Sequence, residues 1–398
     1  MGRCRYAPPM TQRHLAGARI LAQGLVGPVQ FATPLEAARA FGAHQGQDLP
    51  GVLASLALRT GGDLTRVFAA LDSGLIVRGY PMRGTVFAVA ADTLAWLTEL
   101  CADAPVRSAI GRRAGLGLEE EHFTTARRVL EDLAGEHSEA GYGEGVLRSE
   151  LMAAWQDAGL ATDGGRGYHM LTHLISTGVA AYGPWRDEGE TAVVLAKQWL
   201  PHGSDLEGTF GGDRTAAIAE LALRYFTTHG PASVRDLAWW SKLPMGRIRE
   251  ALPQVEDQLE SGWADAAGAL HTDAAAARGG DGEQLWFRPG LADEYAERQK
   301  ETMAELLLPG FDELVLGYRD RLFLMDPERH QALVPGNNGV FKRAAIRRGE
   351  VVGTWGRSGG AGKRKLALQE LADVSDAQRR RFEKLFRAFP YTVACAPG

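Results

Sequence analysis

In the N-terminal quarter of the chain, apolar residues recur at helical spacing and then switch to short strand-like runs. Leu15, Ala18, Ile20, Leu21 and Leu25 predict an opening helix. Leu35, Ala38 and Phe41 predict a second, Val52, Leu53, Leu56 and Ala57 a third, and Leu64, Val67, Phe68 and Leu71 a fourth that stops at Ser73-Gly74. Residues 75–89 then read as two short apolar strands around a Gly/Pro-rich turn. Helices followed by a hairpin make a winged helix-turn-helix.

The pattern comes twice more. Phe123–Leu133, Val146–Ala158 and Tyr168–Ile175 are helical and precede apolar runs at Val179–Tyr182 and Val193-Val194. Thr215–Thr228, Val234–Trp240 and Met245–Leu252 precede a strand-like Gln284–Phe287. Three helix-ending glycines, Gly74, Gly178 and Gly262, lie 104 and 84 residues apart, too irregular for a solenoid. The expectation is a mainly α chain with β structure: three tandem winged helix-turn-helix modules over residues 1–108, 109–205 and 206–298. Gly- and charge-rich loops, such as Asp273–Gly282, separate the units. Residues 299–398 turn to strand, at Phe311–Tyr318, Val340–Ile346 and Val351–Trp355, with Arg348-Gly349 as a tight reversal. They predict a small antiparallel β-barrel or sheet, a helix from Ser375 to Phe386 capped by Ser375, and a closing strand near Val393.

Composition narrows the class. No run of about 18 apolar residues predicts a membrane span, and the N-terminus lacks a secretory pattern, so a soluble cytoplasmic protein is expected. Cys4, Cys101 and Cys395 have neither zinc-module nor disulfide-framework spacing. Net charge is −5, which argues mildly against nucleic acid, yet Asn338–Ala388 holds thirteen Lys/Arg against five acids and leaves −13 elsewhere. Such a run is either a solvated face or a binding surface.

The most crowded polar stretch is His44-Gln45-Gly46-Gln47-Asp48, on a connector between two helices, with Asp48-Leu49-Pro50-Gly51 opening the second. Gln45 and Gln47, two apart in extended chain, can face one way and hold a small species such as water between two amide oxygens. Glutamine does not titrate, so neither is an ordinary general base. The alternative is that both amides cap helix ends or face solvent.

Four ordered motifs carry a family resemblance across nearly the whole chain. They are His44–Gly51 with Leu58-Arg59-Thr60, Tyr80-Pro81-Met82-Arg83-Gly84-Thr85, Leu308–Glu313 through Gly317–Arg321, and Asn338–Phe341 with Val351–Trp355. Together they resemble the AlkZ/YcaQ-type winged-helix DNA glycosylases. The resemblance implies three winged helices and a C-terminal β-barrel enclosing a DNA channel, with excision of bulky N7-alkylated purines, in some relatives from interstrand crosslinks. The resemblance further implies that the family's Q-x-Q or Q-x-D pair falls on Gln45 and Gln47, as catalytic residues. Gly46 stands where relatives usually carry a larger apolar residue, and Phe87 where His is common.

That chemistry suits uncharged residues. An N7-alkylated purine is a cation whose glycosidic bond breaks to a neutral base without a general acid. What remains is to stabilise the sugar cation and aim a water at C1′, which fixed amide dipoles can do. Asp48 either adds negative charge there or caps the helix. A bulky adduct makes base flipping awkward, so the base is expected to stay in or near the stack. Expected DNA contacts are Arg83, Thr85, Asn338, Lys342, Arg343, Arg347 and Arg348, with surface charge as the alternative for each basic one. Arg319, Asp320 and Arg321 read rather as an internal ion-pair set than as DNA contacts, and Asp312 and Glu313 as a strand-edge salt bridge, with a place at the channel as the alternative. His169 and His173 have no evident third metal ligand, and Gly359–Lys363 lacks a phosphate-loop Ser/Thr, so neither metal nor cofactor is expected. The expected partner is double-stranded DNA with alkylated purines, bound by a monomer. The rival is a non-enzymatic winged-helix regulator, which would bind undamaged DNA selectively and release no base.

Overall fold

The computed structural model describes residues 12–139, 145–185, 191–272, 283–360 and 363–391. Helix α1 spans Arg13–Ala22. Helix α2, Pro34–Phe41, starts where the Thr33 hydroxyl accepts from the Glu36 amide, and ends at Gly42, whose φ of 75° is cheap only for glycine. The chain then forms a two-residue strand, β1 (His44–Gln45), before α3 (Leu49–Arg59) and α4 (Leu64–Asp72). Strands β2 (Ile76–Met82) and β3 (Thr85–Ala90) follow, joined at Arg83-Gly84. Both turn residues have left-handed φ, 61° and 67°, as a two-residue hairpin turn of this twist requires.

The polar connector is therefore a sheet edge. β1 pairs antiparallel with β3, setting Gln45 opposite Phe87. After α5 (Ala91–Cys101), helices α6 (Glu120–Glu139), α7 (Arg148–Asp157) and α8 (Arg166–Ser176) enclose Phe123, Leu130, Leu151, Trp155 and Met170. Strands β4 (Ala180–Trp185) and β5 (Thr191–Leu195) add to the first hairpin rather than making their own sheet, giving the order β1-β3-β2-β4-β5. The first two helical groups thus share one five-stranded sheet.

The third group is α9 (Arg214–His229), α10 (Val234–Ser241) and α11 (Met245–Ala251). Its sheet has the order β6-β9-β7-β8, from Ala232–Ser233, Leu285–Phe287, Glu260–Ala264 and Leu270–His271. Helix α12 (Leu291–Thr302) returns to α1, where Gly17 lies so close to Tyr295 that a Cβ would sit 2.6 Å from its ring.

The C-terminal region departs from expectation in two places. Phe311–Tyr318 is not a strand: the Asp312 carboxylate accepts from the Leu314 amide and starts the four-residue helix α13 (Glu313–Leu316). A local capping bond outcompetes the apolar alternation of that stretch. The barrel, among the described residues, is an open antiparallel sheet of β10 (Glu305–Leu307), β11 (Ala344–Arg347), β12 (Glu350–Ser358) and β13 (Lys365–Glu370), in that order. The terminal helix, here α14 (Asp376–Ala388), is capped by Ser375 as expected and packs against β10 and β13, with Phe382 and Phe386 in one core with Trp355. The strand expected near Val393 lies outside the described residues.

One buried ion pair ties the C-terminal region to the first helices. Arg59, at the end of α3, meets Asp312 bidentately at 2.9 and 3.0 Å, and both side chains are fully buried. Ser55 donates to the same carboxylate, and Arg59 also donates to Gln23, which donates on to the Tyr318 hydroxyl. Burial pushes the Asp312 carboxyl up, but Arg59, the Leu314 amide and Ser55 together outweigh it and hold its pKa below the usual 3.8. A carboxyl whose pKa is depressed on folding stabilises the fold above its unfolded pKa, and that contribution fades as pH falls through its folded value. We expect Asp312→Asn, which leaves a buried guanidinium unpaired, to cost about 3–5 kcal/mol in urea unfolding. The variant should also lose part of the wild type's destabilisation by acid below about pH 4.

Candidate functional site

The connector is held by its own backbone and by β3. The Gly46 amide donates to the Val86 carbonyl at 2.8 Å, and Arg78 donates to the Gly46 carbonyl at 3.2 Å. Gln45 and Gln47 do not form the symmetric pair their spacing suggests. Gln45 is 4% exposed and its amide NH₂ donates to the Thr85 hydroxyl at 3.4 Å, while Gln47 is exposed. Gln45 Oε1 accepts from the Gln47 backbone N–H at 3.1 Å, and Gln47 Oε1 lies 3.5 Å from the Val86 amide. Each amide oxygen is thus aimed by one backbone donor, and a carbonyl oxygen keeps a second lone pair for another partner.

Beneath Gln45 lies an anion. The Glu313 carboxylate is 1% exposed and accepts from the Gln45 backbone N–H at 2.6 Å, from His229 Nε2 at 3.3 Å and from Trp240 Nε1 at 3.1 Å. Burial would raise its pKa, but the His229 hydrogen bond and the Gln45 amide help to hold it below the usual 4.5, so it is ionised at neutral pH. Burial lowers His229, and burial with the Arg59 charge lowers His44 to about 3, so both imidazoles are neutral. Asp312 and Glu313 are therefore buried beneath the connector and are not a strand-edge pair.

Asp48 stands at the N-cap of α3 yet makes no capping hydrogen bond. Its carboxylate sits where a Cβ on Gly51 would meet it at 2.7 Å, and that same Cβ would lie 2.6 Å from the Gly310 carbonyl. Connector and 309–313 motif thus touch through two glycines. Burial pushes the Asp48 carboxyl up, against the Arg343 guanidinium beside it.

The expected DNA contacts divide. Arg83 and Thr85 lie at the β2–β3 turn beside Gln45, and Arg343 faces Asp48. Lys342 and Asn338 are exposed, and the Asn338 side chain accepts from the Val340 amide. Arg347 instead donates to the Asp373 carbonyl and to Gln378, tying β11 to α14. The reversal at Arg348-Gly349, with φ of 54° and 71°, packs on α1: a Cβ on Gly349 would lie 3.1 Å from Ala16. Arg348 is exposed, but its hairpin tip faces α1 and not the connector.

Sequence reasoning passed over other groups. Arg357, on β12, acts on Asp48 together with Arg343 and has Arg364 of the same hairpin nearby. Arg321 is no member of an ion-pair set with Arg319 and Asp320: it donates to the Val315 carbonyl and lies over the Trp239 and Phe341 rings. At the expected non-metal pair, His173 Nδ1 meets Arg113 at 3.2 Å and its ring packs on Phe123. Phe87, fully buried, packs edge-on to Trp240.

A cavity of about 640 Å³ lined by Leu94, Glu99, Arg107, Lys197 and His202 contains neither glutamine. No helix among the described residues is long and apolar enough to cross a membrane.

No curated protein matches the chain. Among solved structures, the DNA glycosylase AlkZ of Streptomyces sahachiroi is similar in fold, with a TM-score of 0.65 at 18% identity over 95% of each chain. The model of the family described as "DNA glycosylase AlkZ-like" matches residues 38–389, a span that takes in the glutamine connector, both buried acids and the C-terminal sheet. The chain belongs to the AlkZ-like family of DNA glycosylases.

Proposed function

We propose that this glycosylase hydrolyses the N-glycosidic bond of bulky N7-alkylguanine adducts in double-stranded DNA, crosslinked guanines included, acting as a monofunctional, cofactor-free monomer. The observation that carries the reading is the aimed pair of uncharged amides, Gln45 and Gln47, beside a buried carboxylate. Alkylation at N7 places a positive charge on the base, so C1′–N9 cleavage releases a neutral purine and leaves the positive charge on the sugar. The pair electrons of the bond go to the base, and a water adds to C1′ and loses one proton to solvent.

Each residue has a role in that step. The Gln45 and Gln47 oxygens present the negative ends of fixed dipoles to the sugar cation and to the incoming water. Glu313 fixes the Gln45 backbone through its 2.6 Å hydrogen bond and adds an ionised carboxylate behind it. Asp48, facing Arg343, contributes a second negative charge at the mouth. The adducted base stays in or near the stack, so a large alkyl group need not enter a closed pocket. Arg83, Thr85, Arg343, Lys342 and Asn338 contact the DNA, as do Arg357 and Arg364 on the neighbouring hairpin. The tandem winged helices read from the sequence would supply the surface on which the duplex lies.

Single-turnover assays on a duplex with one N7-alkylguanine test the reading. Gln45→Ala with Gln47→Ala should abolish alkali-labile abasic sites while DNA affinity stays within about twofold; intact excision by the double variant would refute it. Glu313→Gln exchanges an acceptor of three hydrogen bonds for a group that also donates. At about 1.5–3 kcal/mol for a hydrogen bond to a charged group, base release should slow roughly 10- to 100-fold without a matching loss of affinity. The pH–rate profile should be flat at neutral and alkaline pH and fall on the acid side, at a pH above the usual 3.8 of an aspartate, as Asp48 protonates. Asp48→Asn should give a lower rate with that acid limb removed.

A further inference from the structure

Three cations converge on one half-buried ring. Trp240 of α10 turns inward to Glu313, whereas its neighbour Trp239 turns outward. The Arg83 and Arg321 guanidinium carbons each lie 4.8 Å from the Trp239 ring centroid, and Lys242 Nζ lies 5.6 Å from it. They come from the β2–β3 turn, the stretch after α13 and the C-cap of α10. Arg83 and Lys242 are both held in left-handed backbone, φ 61° and 64°, which no L-residue adopts freely. Burial lowers the pKa of each, that of Arg321 to about 10, and the Arg83 charge lowers both Lys242 and Arg321 further.

No described carboxylate is placed to pair with this group, although the Asp320 charge acts on Arg321 from a distance. Among the described residues none of the three is within ion-pair distance of a carboxylate, and Arg83 Nη1 is buried without a hydrogen-bond partner. Glu313, which acts on Arg83 from a distance, already holds three donors. Cation–π contact is worth about 0.5–2 kcal/mol per pair and does not remove the mutual repulsion. A bound anion does both: it pairs the charges and takes the idle Arg83 N–H. Arg83 also lies over Phe87, which pairs with Gln45, so that anion would lie next to the connector.

We propose that Arg83, Lys242 and Arg321, framed on Trp239, form a phosphodiester site that grips the DNA backbone beside the nucleotide held at Gln45 and Gln47. The placement relative to the lesion rests on the function proposed above; the phosphate site itself does not. Guanidinium forks suit a phosphate's paired oxygens, and Lys242 supplies a movable third charge.

The test is DNA affinity against salt, measured by fluorescence anisotropy on undamaged and lesion-bearing duplexes. Lys242→Gln, at an exposed position, should weaken binding several-fold and lower the slope of log K against log salt by about 0.9. Arg321→Gln should do the same, and Arg321→Lys should restore most of the slope. Melting temperatures identify any variant that merely unfolds, and Lys242→Gln serves where Arg321→Gln does. Replacing single phosphates near the lesion by neutral methylphosphonates should weaken wild-type binding at one position adjacent to it, with Lys242→Gln indifferent there. Unchanged slopes in folded Lys242→Gln and Arg321→Gln would overturn the site, and a sensitive phosphate several nucleotides away would overturn its placement. Failure of base release on every N7 adduct would instead defeat the proposed function, and the slopes on undamaged DNA would still decide the site.

Discussion

The hydrogen bond from the Gln45 backbone to the Glu313 carboxylate is the constraint on which the site depends. A carboxylate at 1% exposure is costly unless several donors meet it, and here they come from three parts of the chain: β1, the end of α9 and α10. The next residue, Asp312, repeats the device with Arg59 and Ser55. Two adjacent acids thus bind the first helices, the third helical group and the C-terminal region at one point. Where Gln45 sits is fixed by groups nearly 270 residues away in sequence, as the separation of 268 from Glu313 records.

How much of this was legible depends on range. The helices of the first three groups followed from local apolar spacing, and Ser375 was readable as a cap because capping involves neighbours only. The glutamine connector was found for the same reason. Long-range pairing was not readable: the joining of β4 to β2 into one sheet, or the packing of α14 on both β10 and β13, depends on contacts no window of sequence contains. Phe311–Tyr318 misled because its alternation is that of a strand, while Asp312 offers a local cap and a buried partner for Arg59. In the basic segment the limit was different. Counting charge located a cationic region, but only the fold shows that Arg347 is spent on Gln378 while Arg357 lies by Asp48.

The arrangement separates two tasks by charge. Beneath the connector Asp312 is paired with Arg59, while Glu313 is met only by neutral donors; Arg83 lies at the turn beside Gln45, and the Arg343 and Arg357 charges act on Asp48. In the proposed reading, the exposed cations attract the polyanionic backbone, while the Glu313 carboxylate favours a cation forming at the sugar. The neutral amides between them carry no charge that either would shift. On the proposed reading, a pair without titratable groups suits a base that leaves without protonation.

The most direct test is a crystal structure of the protein on a duplex that carries a cationic sugar mimic in place of the lesioned nucleotide. The account predicts the mimic's ring within about 3.5 Å of both the Gln45 and Gln47 amide oxygens, the range of a near-attack arrangement. A duplex bound with that sugar away from both amides, or phosphates alone facing them, would contradict it.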